Sequence, residues 1–325
     1  MLWSSFFGRK KGKRSTDPAE PGCPKTKGGD ISRSLCAVIS ETDKETNQDA
    51  CGSFYDEMTG TTVLAVADGI GSNRHVAAGS RFVVDKVLER VETDLHEGKP
   101  LDFTVIFADV QRGLTEMVDR EYAEETGTIG RKDFGTTLIV GVDTPKAFTV
   151  AYVGNGCAYF IMGDFVKFPR ENYLPWTVNN LLVPHSLPDE ITGQETLCKY
   201  FSYQPALVDQ CVPTVITVGK NHHSGEIFLI ATDGVDSLDK HDEFAFGHNE
   251  LMMTSSWNMS LLCERLKKFL SESAGFDDVR LHQMLEKYII TLRNEDRMDD
   301  DVTLGIIMSP RVYQGDNLLN RSTND

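Results

Sequence analysis

Two short apolar runs, far apart in the chain, stop in the same way. Residues 61–69 read TTVLAVADG and residues 226–234 read EIFLIATDG. Each is a strand-length stretch rich in β-branched and aliphatic residues, the pattern of a strand buried on both faces. Asp68 and Asp233 stand where a rigid strand ends, and the glycine that follows lets the backbone turn sharply and lets other groups come close. One Asp-Gly at a strand end is ordinary turn punctuation. Two further acidic points share the context, however. Asp49, in NQDAC, precedes a strand-like run, and Asp299, Asp300 and Asp301 lead into the last one, DVTLGIIM at 301–308.

Between these points the hydrophobic period changes. Val76, Ser80, Val83, Val84, Val87, Val91 and Leu95 recur at helical spacing. Phe103, Ile106, Phe107, Val110, Leu114, Met117 and Val118 do the same, and Gly98-Lys99-Pro100 separates the two helices into an antiparallel pair. Strands are expected at 31–39, 50–55, 61–67, 135–142, 147–153, 157–162, 164–168, 212–219 and 226–231. Tight links such as Gly154-Asn155-Gly156 make the middle ones a meander of hairpins. A second helix pair is expected at 258–273 and 277–294. Strands and helices come in separate runs, which predicts an α+β fold rather than a doubly wound one. Two facing antiparallel β-sheets, flanked by pairs of antiparallel helices, use every piece.

The expected organisation is a disordered basic leader at 1–30, one domain at 31–308 and a polar tail at 309–325. Residues 170–210 read as an irregular insertion or flap. The formal charge of −16 argues against nucleic-acid partners. Seven cysteines, with no Cys-x-x-Cys pair, argue against a disulfide framework and for a reducing cytoplasm. No apolar run is long enough to span a bilayer. A monomer is expected.

Carboxylates that converge without partners repel one another, and divalent cations relieve that repulsion. Oxygen ligands with no accompanying His or Cys set select Mg²⁺ or Mn²⁺. The motifs that carry this chemistry are TNQDA (46–50), VADGIGS (66–72) with AAGS (77–80) in the next helix, FGTTL (134–138), ATDGV (231–235) and DDVTL (300–304). In this order they resemble the PP2C-type metal-dependent Ser/Thr protein phosphatases, in their bacterial style. That resemblance implies a two-metal hydrolase acting on phosphoserine and phosphothreonine, with phosphoproteins as substrates. It implies Mn²⁺ or Mg²⁺ held by Asp49, Asp68, Gly69, Asp233 and Asp300, with Asp68 bridging the ions and a water between them as nucleophile. The triple aspartate leaves the register of Asp300 against Asp301 open by one.

Four positions depart from the family pattern. Lys44 stands where an arginine grips the substrate phosphate; it keeps the charge but loses the bidentate fork. Asn155, in GNGC, replaces an aspartate and weakens a third ion. Gln48 stands beside Asp49 in place of an acid, and Ile70 leaves no histidine general acid after the second motif. His75 reads as a surface residue at a helix start. Together these departures motivate an alternative: a catalytically weak pseudophosphatase that binds phosphoproteins as a regulator. A third reading is a two-metal hydrolase of small phosphoesters.

Overall fold

The computed structural model describes residues 33–71, 73–125, 127–130, 132–163, 176–188, 195–207, 209–220, 225–235, 241–246, 251–271, 275–298 and 300–313. Two five-stranded antiparallel sheets carry the fold. The first has the order β1 (Leu35–Glu41), β14 (Val302–Met308), β11 (Glu226–Ala231), β6 (Cys157–Gly163) and β7 (Trp176–Asn180). The second has the order β10 (Thr214–Gly219), β5 (Ala147–Val153), β4 (Leu138–Asp143), β3 (Thr61–Ala67) and β2 (Ala50–Asp56). β8 (Ser186–Pro188) pairs with β9 (Glu195–Leu197), and β12 (His241–Phe246) with β13 (Leu251–Ser256).

The apolar runs that opened the sequence are buried on both faces for a visible reason. In β3, Leu64 and Val66 point into the space between the sheets, while Val63, Ala65 and Ala67 point outward under helices. In β11, Phe228 and Ile230 point between the sheets and Ile227, Leu229 and Ala231 point outward. Each sheet is covered on its outer face by a helix pair. α1 (Val76–His96) and α2 (Phe103–Glu121) share a core with the second sheet, and α3 (Trp257–Ser271) and α4 (Asp278–Asn294) with the first. The result is four layers, helix–sheet–sheet–helix.

Between the sheets the contact is aromatic. The Phe148 ring stacks on Phe228 with centroids 3.8 Å apart, and Phe160 stacks on Phe228 at 4.9 Å. Truncating a buried aromatic of this kind to alanine costs about 3–5 kcal/mol. α2 and α4 start on capping aspartates. The Asp102 side chain accepts the Thr104 and Val105 N–H groups, and Asp277 accepts that of Arg280.

Three local expectations change. Residues 170–210 are not all irregular: β7 adds an edge strand to the first sheet, and β8 and β9 form a short hairpin. β12 and β13 were not anticipated from the sequence. The strand expected at 164–168 lies outside the described residues, as do the leader at 1–30 and most of the tail. Among the described residues no helix is long and apolar enough to cross a membrane. Six cysteines are described, all as free thiols; five are buried and Cys198 is partly exposed.

Candidate active site

Register brings the acidic residues together. β2 pairs with β3 so that Ala50 faces Ala67, which puts the next pair outward, Asp49 and Asp68, side by side at the sheet's end. In the other sheet Ala231 faces Cys157 on one side and Leu304 on the other. Two residues further out, Asp233 therefore meets Asn155 of the 154–156 turn, and the start of β14 delivers Asp300 and Asp301 beside it. The two sheet ends open into one cleft of about 500 Å³, whose wall includes Lys44, Asp68, Gly69, Asn155, Asp233 and Asp300.

The loops that carry these carboxylates are pinned by the backbone. The Asp68 N–H donates to Thr137 Oγ1 at 3.0 Å. The Asp68 carbonyl accepts both the Thr137 N–H, at 2.8 Å, and the Thr136 hydroxyl, at 2.9 Å. The Ile70 N–H donates to the Gly135 carbonyl at 2.9 Å. The FGTTL motif is thus the clamp on the VADGIGS motif. Phe134 of that clamp has a φ of 60°, a conformation that costs a bulky residue energy and is held by its surroundings. Its ring stacks on His75 at 4.9 Å and meets Tyr122 edge-on at 4.8 Å, and those two rings also touch.

Asp300 and Asp301 are separated by their environments. Asp301 is buried, and its carboxylate accepts the Gln48 N–H at 2.8 Å and the Thr42 hydroxyl. It ties the β1–β2 loop to β14. The Asp300 side chain is 55% exposed at the cleft wall. Asp301 is engaged by the loop around it, while Asp300 lines the cleft and takes Lys44 and the Asp301 N–H on its Oδ1. Gly234 is equally constrained, since a Cβ there would lie 2.1 Å from the Asp301 carbonyl oxygen.

The electrostatics are those of crowded anions. Burial pushes Asp49 up to about 7, with the Asp301 charge adding to it and hydrogen bonds from Thr303 and Thr232 opposing it. Burial also raises Asp68 well above the usual carboxylate range, helped by the charges of Asp49 and Asp233. Asp233 is raised by burial and by Asp300, against the pull of Asn155 and Lys44. Asp49 Oδ2 accepts the Thr232 hydroxyl at 2.8 Å, yet Oδ1 is buried with no partner. An orphaned carboxylate oxygen inside a cluster of like charges is the environment a cation relieves. Among the described residues no three acidic, His or Cys groups close a cage around one point.

The departing residues also find places. Lys44 Nζ pairs with Asp300 and lies 3.8 Å from Asp301. Burial works against its charge, but Asp300, with the charges of Asp301 and Asp68, raises Lys44 overall. Asn155 Nδ2 donates to Asp233 Oδ2 at 2.6 Å. A Cβ at Gly69 would sit 2.9 Å from the Gln48 carbonyl oxygen, so the two loops touch there. His75 is not the surface residue expected. It is partly buried in left-handed backbone (φ 62°) against Phe134, with Nε2 3.3 Å from Glu125.

Thr136, Thr137 and Thr232 were missed as site residues. The first two sat in a motif already singled out, but which main-chain groups their hydroxyls serve is a tertiary fact. His185 was missed as well. Its Nδ1 accepts the Gly154 N–H at 3.2 Å while its ring stacks on Tyr152, so the 170–210 segment braces the turn that holds Asn155.

Comparison with known proteins follows the same lines. The family model described as Protein phosphatase 2C matches residues 40–271. No curated protein sequence matches. Among solved structures, the serine/threonine phosphatase Stp1 from Staphylococcus aureus aligns with a TM-score of 0.51 at 17% identity, covering 88% of this chain and 98% of that one. The Mycobacterium tuberculosis serine/threonine phosphatase PstP/Ppp aligns with a TM-score of 0.51 at 13% identity, covering 85% and 99%. A C. elegans sex determining protein aligns with a TM-score of 0.54 at 15% identity, covering 87% and 67%. At these identities the likeness is one of fold.

Proposed function

The chain belongs to the protein phosphatase 2C family, and on that premise we propose that it is a metal-dependent phosphatase of phosphoserine and phosphothreonine in proteins. The observation that carries the proposal is the convergence of Asp68, Asp233 and Asp300 on one cleft, with Asp49 set beside Asp68 by the register and its Oδ1 buried without a partner. These four carboxylates, with Gly69, would hold two Mn²⁺ or Mg²⁺ ions. When bound, such ions activate a water for in-line attack on phosphorus and neutralise the charge of the phosphate.

The chain's own residues set the rest. Asp68 sits on a backbone fixed by two threonine hydroxyls, so its carboxylate enters the cleft preorganised. Asp301 takes no ligand role; it locks the Asp49 loop against β14. Lys44 is the positive charge at the cleft wall. It steadies Asp300, and an incoming phosphate competes for it. With only a compact ammonium there, orientation of the phosphate is weaker than a guanidinium fork would give. The working site is proposed for a monomer in the cytoplasm.

A phosphothreonine peptide and an aryl phosphate, each incubated with Mn²⁺ and with EDTA, test the reading. Metal-dependent phosphate release from the peptide is expected. A folded sample that releases none from either substrate would sink it. It would instead favour the pseudophosphatase reading, which has its own support in the occupation of Asp300 by Lys44 and of Asp233 by Asn155. Release from the aryl phosphate alone would point to small phosphoesters.

Asn155 offers a second check. Asn155→Asp exchanges an amide donor 2.6 Å from Asp233 for another anion. Without metal the pair repels, so the variant is expected to melt below the wild type in EDTA. With Mn²⁺ the added carboxylate strengthens ion binding, so the order is expected to reverse and turnover to rise. Thermal melts in the two buffers read this directly. The same melting temperature as wild type in both would show that Asn155 has no part in ion binding.

A further inference from the structure

A second pocket lies in the groove between α3 and α4, the helix pair on the outer face of the first sheet. Along α3, Arg265, Lys268 and Phe269 stand at i, i+3 and i+4; along α4, Arg280, Met284 and Lys287 stand at i, i+4 and i+7. Both sets face the same cavity of about 300 Å³, which shares no residue with the catalytic cleft. Phe269 and Met284 are buried and form an apolar floor. Four cations form the rim.

Those cations are uncompensated within the described residues. On α3 the exposed Glu264 is in no described ion pair with Arg265 or Lys268, and the acids of α4 have other tasks. Glu286 faces His282 at 3.6 Å, Asp278 pairs with Arg33, and Asp277 caps α4. None of Arg265, Lys268, Arg280 and Lys287 pairs with a described carboxylate. On a chain of formal charge −16, this concentration of positive charge is a local reversal. Arg265 is oriented as well: its Nη2 donates to Thr291 Oγ1 across the helix pair at 2.8 Å. Two guanidinium forks above an apolar floor match a phosphate that carries an organic group. The volume is at the lower end of ligand-sized pockets. The acidic surface elsewhere repels nucleic acid.

We propose that the α3–α4 groove is a docking pocket for a phosphorylated segment of a protein substrate, engaging a phosphate other than the one being hydrolysed. For its ligand class this rests on the phosphatase reading above. Multiply phosphorylated substrates are then held at two points, and the pocket lowers KM without entering the chemistry.

The test uses the full chain. In EDTA, which removes ions from the catalytic cleft, a fluorescent peptide bearing two phosphoserines is titrated against wild type and against Arg265→Ala/Arg280→Ala. Losing two charge-assisted contacts is expected to weaken binding at least about tenfold. Because Arg265 also bonds Thr291, Lys268→Glu/Lys287→Glu serves as a second variant, expected to weaken binding without touching that bond. With Mn²⁺, both variants are expected to raise KM for the doubly phosphorylated peptide, keep its kcat, and leave aryl phosphate turnover unchanged. No binding by wild type in EDTA, or equal binding by wild type and both variants, overturns the proposal. Inorganic phosphate displacing the peptide at equal concentration also overturns it, in favour of a small-anion pocket. Loss of aryl phosphate hydrolysis in the wild type would count against the phosphatase reading alone, since the EDTA titration still reads the pocket.

Discussion

Asp68→Asn is expected to abolish metal-dependent phosphate release while making the metal-free protein more stable. The substitution keeps shape and removes one charge from a cluster in which burial, Asp49 and Asp233 all disfavour ionisation of Asp68. On the proposed ligand set, losing Asp68 would forfeit several kcal/mol of transition-state stabilisation, or about a 10³-fold fall in kcat/KM. The stability effect has a definite pH sign. A carboxylate whose folded pKa is raised stabilises the fold only while it is protonated, and loses that contribution as pH rises through the folded value. Asp49, raised to about 7, and Asp68, raised well above the usual carboxylate range, are therefore tolerated at low pH and strained as pH rises to 8. In EDTA at pH 8 the variant should melt above the wild type, and at pH 5 the gap should close. Mn²⁺ should raise the melting temperature of the wild type far more than that of the variant. A variant that keeps full activity, or melts below wild type in EDTA at pH 8, would show that Asp68 is not the centre of an ion site.

Gly234→Ala carries the second large effect, on folding. Its Cβ would lie 2.1 Å from the Asp301 carbonyl oxygen and 3.1 Å from the carbonyl carbon, and both are backbone atoms with no rotamer to change. Relief requires β11 and β14 to part where Asp233 and Asp300 enter the cleft. Overpacking of this kind costs about 1–3 kcal/mol, and the collision with backbone places Gly234→Ala at the upper end. A fall of roughly 5 °C or more in melting temperature is expected, together with weaker Mn²⁺ binding. Gly219→Ala, where nothing lies within 4 Å of the added carbon, is the matched control and should melt like wild type. If the two variants melt alike, the strand exits are not as tightly joined as the register implies.

These residues also show what was legible in the sequence. The runs at 61–67 and 226–231, and the valine stripe from Val76 to Val91, declare their structure because burial selects one residue type at one period. The four acidic strand exits were visible for the same reason. Which exits meet was not visible, because that depends on pairings such as Ala50 with Ala67 and Ala231 with Cys157, fixed by the whole sheet. Asp300 and Asp301 are identical in local context and divide only through what surrounds them, Thr42 and Gln48 on one and open cleft on the other. β7 escaped notice because it is an edge strand without a run of apolar residues. The basic stripe on α3 and α4 escaped because helical periodicity was sought in the apolar residues, whereas the cations share the same spacing one step around each helix.

The meeting carboxylates are proposed to form a site for two divalent ions. The most direct measurement is a calorimetric titration of the metal-free chain with Mn²⁺, read as ions bound per chain at saturation. Two ions in the wild type, falling to one or none in Asp68→Asn, is the predicted result. A correctly folded wild-type chain that takes up no Mn²⁺, or an Asp68→Asn variant that binds as many ions as wild type, would contradict it.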